Sequence, residues 1–380
     1  NWNGTNYTMY NDSLILMMNM DNRSSLGEND THVKDLSRYG NNGNVIGAIW
    51  NSSGRYGGAF EFNGINNTVY VNNNPSLDME SNMSIGLWIK LKSLPPLTSA
   101  YDIVMRYDGI SGAAAKANYL LYISSSPNKI VFIVGNGTHS SRVISSIIPQ
   151  LNQWYYVVGV YNGQDMRLYL DGSLDNQATG FYDISGTPVD ASKVIASPKG
   201  NNANVTIGAG YIGGFFEFFN GTIDEVRMWN RSLTADEVKE QYYSNLQKYN
   251  QTQWYLYVNQ NNLTLRNYTY FACAKDNARE NCTETRTIKI SELPLRIVDI
   301  SNIGNVNINP GKAKYVNFSV LVESSKLQNL VNMNATFSRE SVSRTNSSCA
   351  RVADISSTIA NYSCSVDIWY FDSAGEWNVS

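Results

Sequence analysis

Glu217, Asp224 and Glu225 are the carboxylates of this chain whose spacing comes nearest to a catalytic pair. Hydrolysis of a glycosidic bond with retention of configuration needs two carboxyl groups about 5 Å apart. Asp224 and Glu225 are neighbours in the sequence, so a strand would direct them to opposite faces. We therefore expect that this chain is not an enzyme.

Other reactive or ligand-binding arrangements lack their residues. The chain has two histidines, His32 and His139, and no Cys-x-x-Cys pair, so we expect neither a zinc site nor a histidine-activated nucleophile. The net charge is -3 without a basic run, which argues against a nucleic-acid partner. No segment reaches the roughly 18 consecutive apolar residues of a membrane span.

Asp224 lies in a predicted strand at the start of residues 220–242. Adjacent side chains of a strand point to opposite faces, so a period of two places Asp224 on one face with Val226 and Met228. Ile223 and Glu225 then fall on the opposite face. A carboxylate on an apolar face needs a hydrogen-bond partner or a ligand.

A capped helix is predicted directly after this strand. Thr234 has the side chain of an N-cap, and Glu237 follows three residues later, which is the spacing of a capping box. Leu233 and Val238 are spaced to form a hydrophobic staple around the cap. We expect the helix to end at about Asn245.

Composition favours an all-β protein. The 380 residues suffice for two or three domains and a large core. Charged residues make up only 16% of the chain, below the usual quarter, and asparagine and serine replace them. The 25 tyrosines and 8 tryptophans favour strands and turns over helices.

Short apolar runs separated by turn residues predict the individual strands. Residues 57–62 and 68–71 flank the segment 63–67, Asn-Gly-Ile-Asn-Asn, which predicts a hairpin. Residues 154–161 are apolar on both faces, as in a central strand of a sandwich, and we expect them to pair with residues 166–172. About a dozen such strands predict a two-sheet sandwich.

Five segments resemble, in content and order, LamG-like jelly rolls of the concanavalin A-like lectin and glucanase superfamily: residues 58–64, 85–91, 154–161, 168–172 and 221–242. The resemblance covers about residues 13–245 and is most specific at the final strand and capped helix. It implies a jelly-roll β-sandwich with one C-terminal helix. The glucanase spacing Glu-x-Asp-x-x-Glu is missing from the sequence.

The resemblance also implies a structural Ca²⁺ ion. Related jelly rolls commonly bind this ion through an aspartate of the final strand, which assigns Asp224; Asp21, after the first strand, is assigned less directly. The carbonyl-rich loop 40–44 offers further oxygens. The alternative is that backbone N–H groups or an arginine satisfy the Asp224 carboxylate. Asn66 and Asn67 stand where the family often has acidic residues, which disfavours a charged ligand site there.

Three segments are expected. Residues 1–248 form the LamG-like jelly-roll domain. Residues 249–292 form a short module, because 268–276 and 285–290 resemble the closing hairpin of immunoglobulin-like repeats in large prokaryotic, especially archaeal, surface proteins.

The third predicted segment, residues 293–380, is an immunoglobulin-like β-sandwich domain. Its last strand begins at Trp377, and the chain stops at Ser380. We therefore expect this domain to be incomplete at its C-terminus, so that a longer polypeptide or another subunit completes the strand.

About twenty Asn-x-Ser/Thr sequons indicate a glycosylated protein. The candidate glycosylation sites include Asn22, Asn51, Asn66, Asn82, Asn136, Asn204, Asn220, Asn230, Asn267, Asn281, Asn317, Asn334 and Asn361.

The four cysteines fall into two local pairs, Cys273 with Cys282 and Cys349 with Cys364. They are either buried thiols or disulfides between neighbouring strands. Together with the sequons, they favour disulfides and an extracellular location at the cell surface.

The predicted function is adhesion or recognition, with glycans or surface proteins as partners. A structural alternative is a self-assembling subunit of a surface layer or extracellular filament, and glycoside hydrolysis is a third, weaker possibility. The aromatic run at residues 211–219 forms either a sugar-stacking platform or part of the core. Exposed aromatic side chains in a pocket favour binding, whereas an exchanged strand favours assembly.

Overall fold

The computed structural model describes residues 1–108, 116–192, 194, 197–260, 263–275, 279–291, 295–325, 327, 330, 333–339, 342–369, 372, 375–376 and 378–379. The chain divides into two compact units: Asn6–Asn261, and Asn1–Thr5 together with Asn262–Ser380. The first unit extends past residue 248, where a boundary is predicted. The predicted boundary at 292/293, and the ends Trp377 and Ser380 of the predicted last strand, lie outside the described residues. In the described ranges, no helix has the length and apolarity needed to cross a membrane.

The unit Asn6–Asn261 contains an eight-stranded antiparallel sheet in the order β14-β13-β12-β7-β20-β5-β4, with β1 also paired to β20. Its strands are β1 (Leu14–Met18), β4 (Ile49–Asn51), β5 (Ala59–Asn63), β7 (Met83–Leu91), β12 (Trp154–Tyr161), β13 (Met166–Leu170), β14 (Ser173–Ala178) and β20 (Asn220–Trp229).

A ten-stranded antiparallel sheet has the order β16-β15-β11-β10-β9-β8-β17-β6-β3-β2. Its strands are β2 (His32–Val33), β3 (Gly43–Ile46), β6 (Thr68–Val71), β8 (Tyr101–Tyr107), β9 (Ala117–Ile123), β10 (Ile130–Gly135), β11 (His139–Ile144), β15 (Phe181–Asp183), β16 (Pro188–Asp190) and β17 (Val205–Ile207).

The main core contains buried residues from strands of both sheets, for example Leu87 and Phe132. Phe132, from β10, lies against Gly159 of β12. A Cβ atom at residue 159 would be 2.5 Å from the Phe132 ring, so only glycine permits this approach. The predicted all-β fold with a jelly-roll sandwich is confirmed, and β12 pairs with β13 as expected.

One predicted pairing is wrong. β5 and β6, which flank residues 63–67, belong to different sheets: β5 pairs with β4 and β20, and β6 pairs with β3 and β17. The loop therefore crosses from one sheet to the other and does not close a hairpin. Turn residues between two apolar runs look the same in both cases.

Helix α1 (Ala235–Tyr243) follows β20 and has the predicted cap. The Glu237 N–H donates to Thr234 Oγ1 at 3.2 Å, and the Thr234 N–H donates to Glu237 Oε2 at 2.9 Å. The helix is shorter than predicted, because β21 (Ser244–Lys248) follows at once and pairs with β22 (Trp254–Val258). Two 3-10 helices, Ser24–Leu26 and Pro75–Leu77, and the small hairpin of β18 (Gly210–Tyr211) and β19 (Phe215–Phe216) complete the unit.

The second unit contains a six-stranded sheet in the order β27-β28-β31-β30-β29-β32 and two two-stranded sheets, β23-β26 and β24-β25. Its strands are β23 (Asn267–Tyr270), β24 (Cys273–Lys275), β25 (Glu280–Cys282), β26 (Arg286–Lys289), β27 (Arg296–Ile300), β28 (Ala313–Glu323), β29 (Met333–Arg339), β30 (Val342–Asp354), β31 (Ile359–Trp369) and β32 (Asn378–Val379).

The second unit has its own core, in which Phe318 of β28 stacks on Phe337 of β29 with ring centroids 5.4 Å apart. Both predicted disulfides are present: Cys273 is bonded to Cys282, and Cys349 to Cys364. The immunoglobulin-like character of this unit stays a prediction.

Candidate functional site

A β-bulge in β20 decides where the predicted metal ligand points. The register of β20 against β7 shifts after Asp224, and Glu225 has a left-handed φ of +53°. As a result Ile223, Val226 and Met228 all lie in the core between the sheets. The predicted face shared by Asp224, Val226 and Met228 is therefore wrong, because the extra residue reverses the alternation.

Asp224 is fully buried, and its two carboxylate oxygens differ in their surroundings. Oδ2 accepts hydrogen bonds from the N–H groups of Arg55 at 2.8 Å and Tyr56 at 3.1 Å. Oδ1 is buried with no hydrogen-bond partner among the described residues. Burial, and after it the charge of Glu225, hold the pKa of Asp224 well above its usual value. Backbone N–H groups thus satisfy half of the carboxylate.

Asp21 binds the same loop, residues 54–58, from its other end. Its Oδ1 accepts from the Gly58 N–H at 2.9 Å, and its Oδ2 pairs with Arg23 Nε at 3.3 Å. Gly57 has a φ of +70°, and a Cβ atom there would lie 2.1 Å from Asp21 Oδ1. Burial raises the pKa of Asp21. Two aspartates far apart in the sequence therefore hold one tight loop.

Glu225 is also buried, but its oxygens are engaged. Asn19 Nδ2 and Arg227 Nη2 donate to Oε2 at 2.6 and 2.7 Å, and Asn245 Nδ2 donates to Oε1 at 2.7 Å. Burial raises the pKa of Glu225 to about 7, although Arg227 opposes this shift. Glu225 acts as a structural link between β20, β1 and the residues after α1.

The residues around Asp224 fit Ca²⁺ in one respect: a buried carboxylate oxygen without a partner is the kind of ligand that a hard cation requires. Asp224 and Asp21 would hold the ion, with backbone oxygens as further ligands. Within the described residues, the group of three side chains whose ligand atoms lie within 4.8 Å is Cys273, Glu280 and Cys282. Its cysteines are disulfide-bonded, so they offer no thiolate. Calcium at Asp224 and Asp21 stays a prediction.

A second candidate site is the outer face of the ten-stranded sheet. We call it the sheet face and define it by Asp102, Tyr122, Val131, Ile133, Arg142 and Tyr182. Cross-strand pairs place Asp102 beside Tyr122, Tyr122 beside Val131, and Ile133 beside Arg142.

Val131 and Ile133 form the apolar floor of the sheet face, each 3% exposed. The flanking Tyr122, Arg142 and Tyr182 are partly exposed. The sheet face thus combines an apolar centre with a few polar groups, as ligand sites do.

One end of the sheet face carries a carboxyl pair. Asp102 is 1% exposed, and the Glu217 side chain lies beside it. Burial, followed by the charge of Glu217, keeps the pKa of Asp102 well above its usual value. The Asp102 N–H also donates to the Glu217 carbonyl oxygen at 2.8 Å. The two carboxyl groups therefore lie close together, and burial disfavours the charged form of Asp102.

The other end carries Arg142. Its guanidinium lies over the Tyr182 ring at 4.0 Å from the centroid. Its Nε is buried without a hydrogen-bond partner, and no carboxylate in the described part of the chain pairs with it. The guanidinium is thus a partly buried cation that has no acceptor for its Nε–H group and no carboxylate partner among the described residues.

The aromatic run 211–219 is divided between interior and surface. Phe219 lies in the main core, and Phe216 packs on the small cluster around Met105. Tyr211 is 38% exposed and makes an edge contact with Phe215 at 5.1 Å. The run therefore does not present a continuous aromatic platform.

A groove of about 370 Å³ lies near the loop 63–67. Its polar lining includes Glu61, Lys92 and Asn220, and the Glu61 and Lys92 side chains form an ion pair at 2.8 Å. Asn220 Nδ2 donates to Ser93 Oγ at 2.8 Å. The candidate sequon Asn220 is thus partly buried and engaged in a hydrogen bond.

Among the candidate sequons, these asparagines are exposed: Asn51, Asn66, Asn230, Asn267, Asn281, Asn317 and Asn334. These are partly buried: Asn22, Asn82, Asn136, Asn204, Asn220 and Asn361. Glycosylation of any of them stays a prediction.

Residues 63–239 match a laminin G-type family profile, described as the concanavalin A-like lectin/glucanases superfamily. The predicted concanavalin A-like domain is confirmed for these residues. The description covers both lectins and glucanases, so the match alone does not decide between binding and hydrolysis. The search of curated proteins found no match.

Solved structures show further likeness. The binding domain of Paraclostridial Mosquitocidal Protein 1 is 15% identical, covers 93% of this chain and 92% of its own, and has a TM-score of 0.45. Domain 4 of AbnA, a GH43 extracellular arabinanase from Geobacillus stearothermophilus solved with arabinotriose, is 17% identical over 60% of this chain and 97% of its own, with a TM-score of 0.41.

Trypanosoma rangeli sialidase is 15% identical over 56% of this chain and 31% of its own, with a TM-score of 0.40. Likeness at this level says nothing about the ligand of the present chain.

The residues of the sheet face carry no motif. Tyr122 and Arg142 lie in ordinary alternating strands, and Asp102 is distant from Glu217 in the sequence. One available signal was the charged side chain of Asp102 inside the largely apolar strand β8; β11 is mostly polar, so Arg142 gave no such signal. A charged residue in such a position needs a partner or a ligand.

Proposed function

We propose that this chain is a non-enzymatic, glycosylated extracellular protein that recognises glycans on the sheet face. The observation that carries the proposal is the partly exposed Tyr122 and Tyr182 side chains around the floor of Val131 and Ile133. Aromatic rings give contact area at a low entropic cost, and the polar ends supply hydrogen bonds to hydroxyl groups. The concanavalin A-like domain supports the same reading.

The carboxyl pair of the sheet face supports binding over hydrolysis. A glycosidase places its two carboxyl groups on either side of the bond to be cleaved, about 5 Å apart or more. Asp102 instead lies beside Glu217 and is only 1% exposed. A carboxyl group buried to this degree does not reach a glycosidic bond.

Three features support an extracellular role with a structural metal ion. Two disulfides are typical of secreted proteins, and seven candidate sequons have exposed asparagines. We assign a structural Ca²⁺ ion to Asp224 with Asp21, supported by the unpartnered Oδ1 atom. This ion would stabilise the fold and has no part in a reaction.

Glycan-array binding of the purified 380-residue protein tests the proposal. We expect the protein to bind at least one class of glycan, and Tyr122→Ala to weaken that binding at least tenfold. Tyr249→Ala is the matched control, because Tyr249 is exposed and belongs to another surface. If no glycan binds, or if both variants weaken binding equally, the proposal is wrong.

Self-assembly remains a second candidate, and β22 favours it. All five residues of β22 are exposed, including Trp254, Tyr255 and Tyr257, and among the described strands only β21 pairs with it. An exposed apolar edge strand is a template for pairing with another chain. Light scattering after size-exclusion chromatography decides: oligomers that Tyr255→Lys disperses support assembly, and a monomer at all concentrations excludes it.

A further inference from the structure

We propose that the glycan bound by the sheet face carries a carboxylate, and that Arg142 binds this group. The inference rests on the glycan recognition proposed above and specifies the class of sugar: an acidic one. It assigns a specificity-determining role to one cation of the first unit.

Arg142 is partly buried, and its Nε atom lacks a hydrogen-bond acceptor among the described residues. A partly buried guanidinium loses hydration, and this loss is unfavourable unless an anion or acceptors replace the water. Arg142 stacks on Tyr182 but has no ion pair among the described residues, and its Nε has no acceptor. A planar guanidinium matches the two oxygens of a carboxylate, and stacking on a ring holds it in a fixed plane.

The fully buried arginines Arg106 and Arg227 differ from Arg142 in having carboxylate partners. Arg106 pairs with Asp78 at 2.8 Å, and Arg227 pairs with Glu225 at 2.7 Å. Both have internal carboxylate partners. Arg142 is only partly buried, and among the described residues no carboxylate pairs with it.

The side chains around Arg142 also indicate how the ligand is oriented on the sheet face. Arg142 has Ile133 of β10 on one side and Tyr182 of β15 on the other, and Tyr122 of β9 lies one strand beyond β10. Asp102 of β8 and Glu217 lie at the far end. From β8 to β11 there are three strand spacings, roughly 14 Å. A carboxylate binds at the Arg142 end and is repelled at the Asp102–Glu217 end. Neutral hydroxyls suit that second end, because carboxyl oxygens accept their hydrogens.

The test compares acidic probes with their neutral counterparts on the full chain. Two pairs serve: sialyllactose with lactose, and trigalacturonate with its methyl ester. We expect titration calorimetry to show at least tenfold tighter binding of the acidic member in at least one pair. This comparison needs no variant, so a folding defect cannot obscure it.

Variants then locate the interaction. Arg142→Gln should abolish the preference for the acidic probe while keeping the affinity for the neutral one, and Arg142→Lys should keep part of the preference. Arg38→Gln is the control, because Arg38 is exposed and pairs with Asp12. Thermal melts confirm that each variant is folded.

The outcomes separate the two proposals. Equal binding of acidic and neutral probes, unaffected by Arg142→Gln, overturns the carboxylate inference and leaves glycan recognition standing. Tighter, Arg142-dependent binding of sulfated lactose than of sialyllactose overturns the carboxylate class. Absence of binding to any glycan overturns the proposed function itself.

Discussion

The two sheets of the jelly-roll unit use their outer faces in opposite ways. The outer face of the eight-stranded sheet packs Trp88, Tyr156 and Trp229 into a cluster with Val238 of α1, and Trp229 is fully buried there. The outer face of the ten-stranded sheet has its own aromatic residues but leaves Tyr122 partly exposed. Aromatic content therefore does not distinguish the two faces; the helix α1 that covers the face of the eight-stranded sheet does.

Charges follow the same division. On the covered face, Arg227 is bound by Glu225 and donates to Gln241 of α1 at 2.7 Å. On the open face, Arg142 has a ring beneath it and no carboxylate among the described residues. The charges on the covered face are thus paired internally, whereas the open face carries the proposed glycan-binding surface. The following four predictions test this contrast.

Removing a large side chain from the covered face has the largest expected effect. Trp229→Ala should lower the free energy of unfolding by about 3–5 kcal/mol, because the buried ring leaves a cavity. Tyr182→Ala on the open face should cost about 1 kcal/mol or less. Urea denaturation measures both, and equal losses would contradict the division between the faces.

Calcium should stabilise the region of the bulge in β20. At a concentration 100-fold above its dissociation constant, the ion would add about 2.7 kcal/mol to the free energy of unfolding. Calorimetric melts with CaCl₂ and with a chelator measure this difference. Asp224→Asn should remove the response, and Asp354→Asn, at an exposed position, should keep it. An identical melting temperature in both buffers would rule out the ion.

The carboxyl pair on the open face should make stability pH-dependent. Because the pKa of Asp102 is raised in the folded state, the folded chain holds a proton that the unfolded chain has already released. The free energy of unfolding therefore falls as pH rises from about 4 toward the raised pKa, by about 1.4 kcal/mol per pH unit.

Asp102→Asn should flatten this slope, since the amide keeps a donor toward Glu217 without titrating. Melting temperatures between pH 4 and pH 8 measure the effect. Asp12→Asn serves as the control, because the Asp12 side chain is 81% exposed. A slope of the same size in the Asp102 variant would show that another group causes it.

The smallest expected effect concerns the start of the helix that covers the eight-stranded sheet. Thr234→Ala removes the N-cap acceptor of α1 and should cost about 1 kcal/mol. Thr234→Ser retains the hydroxyl and should restore most of the stability. If the Thr234→Ala and Thr234→Ser variants unfold at the same urea concentration, the cap contributes nothing to the stability of the fold.

Local features were predictable from sequence. The capping box of Thr234 and Glu237 depends on residues three positions apart, and the cysteine pairs are close along the chain. A run of residues that is apolar on both faces located the long strand β12, and the structure buries nearly all of its side chains.

Features that depend on distant pairs were not predictable. Asp102 meets Glu217 only because the segment carrying β18 and β19 folds over β8, and no spacing announces that contact. The stretch around residues 63–67 gave a false hairpin, because turn chemistry does not reveal which sheet the next strand joins. The role proposed for Arg142 was not predictable either, because it depends on the lack of a carboxylate partner among the described residues.

The bulge in β20 decides which side chains of this strand enter the core. One inserted residue lets Ile223 and Val226 both enter the core, and Glu225 occupies a left-handed conformation to make this possible. A regular strand over the same residues, without the bulge, would turn Arg227 inward and Met228 outward. Removing one residue at the bulge would restore regular alternation and keep Val226 and Met228 inward, so the loss would fall on the buried Glu225 and its partners.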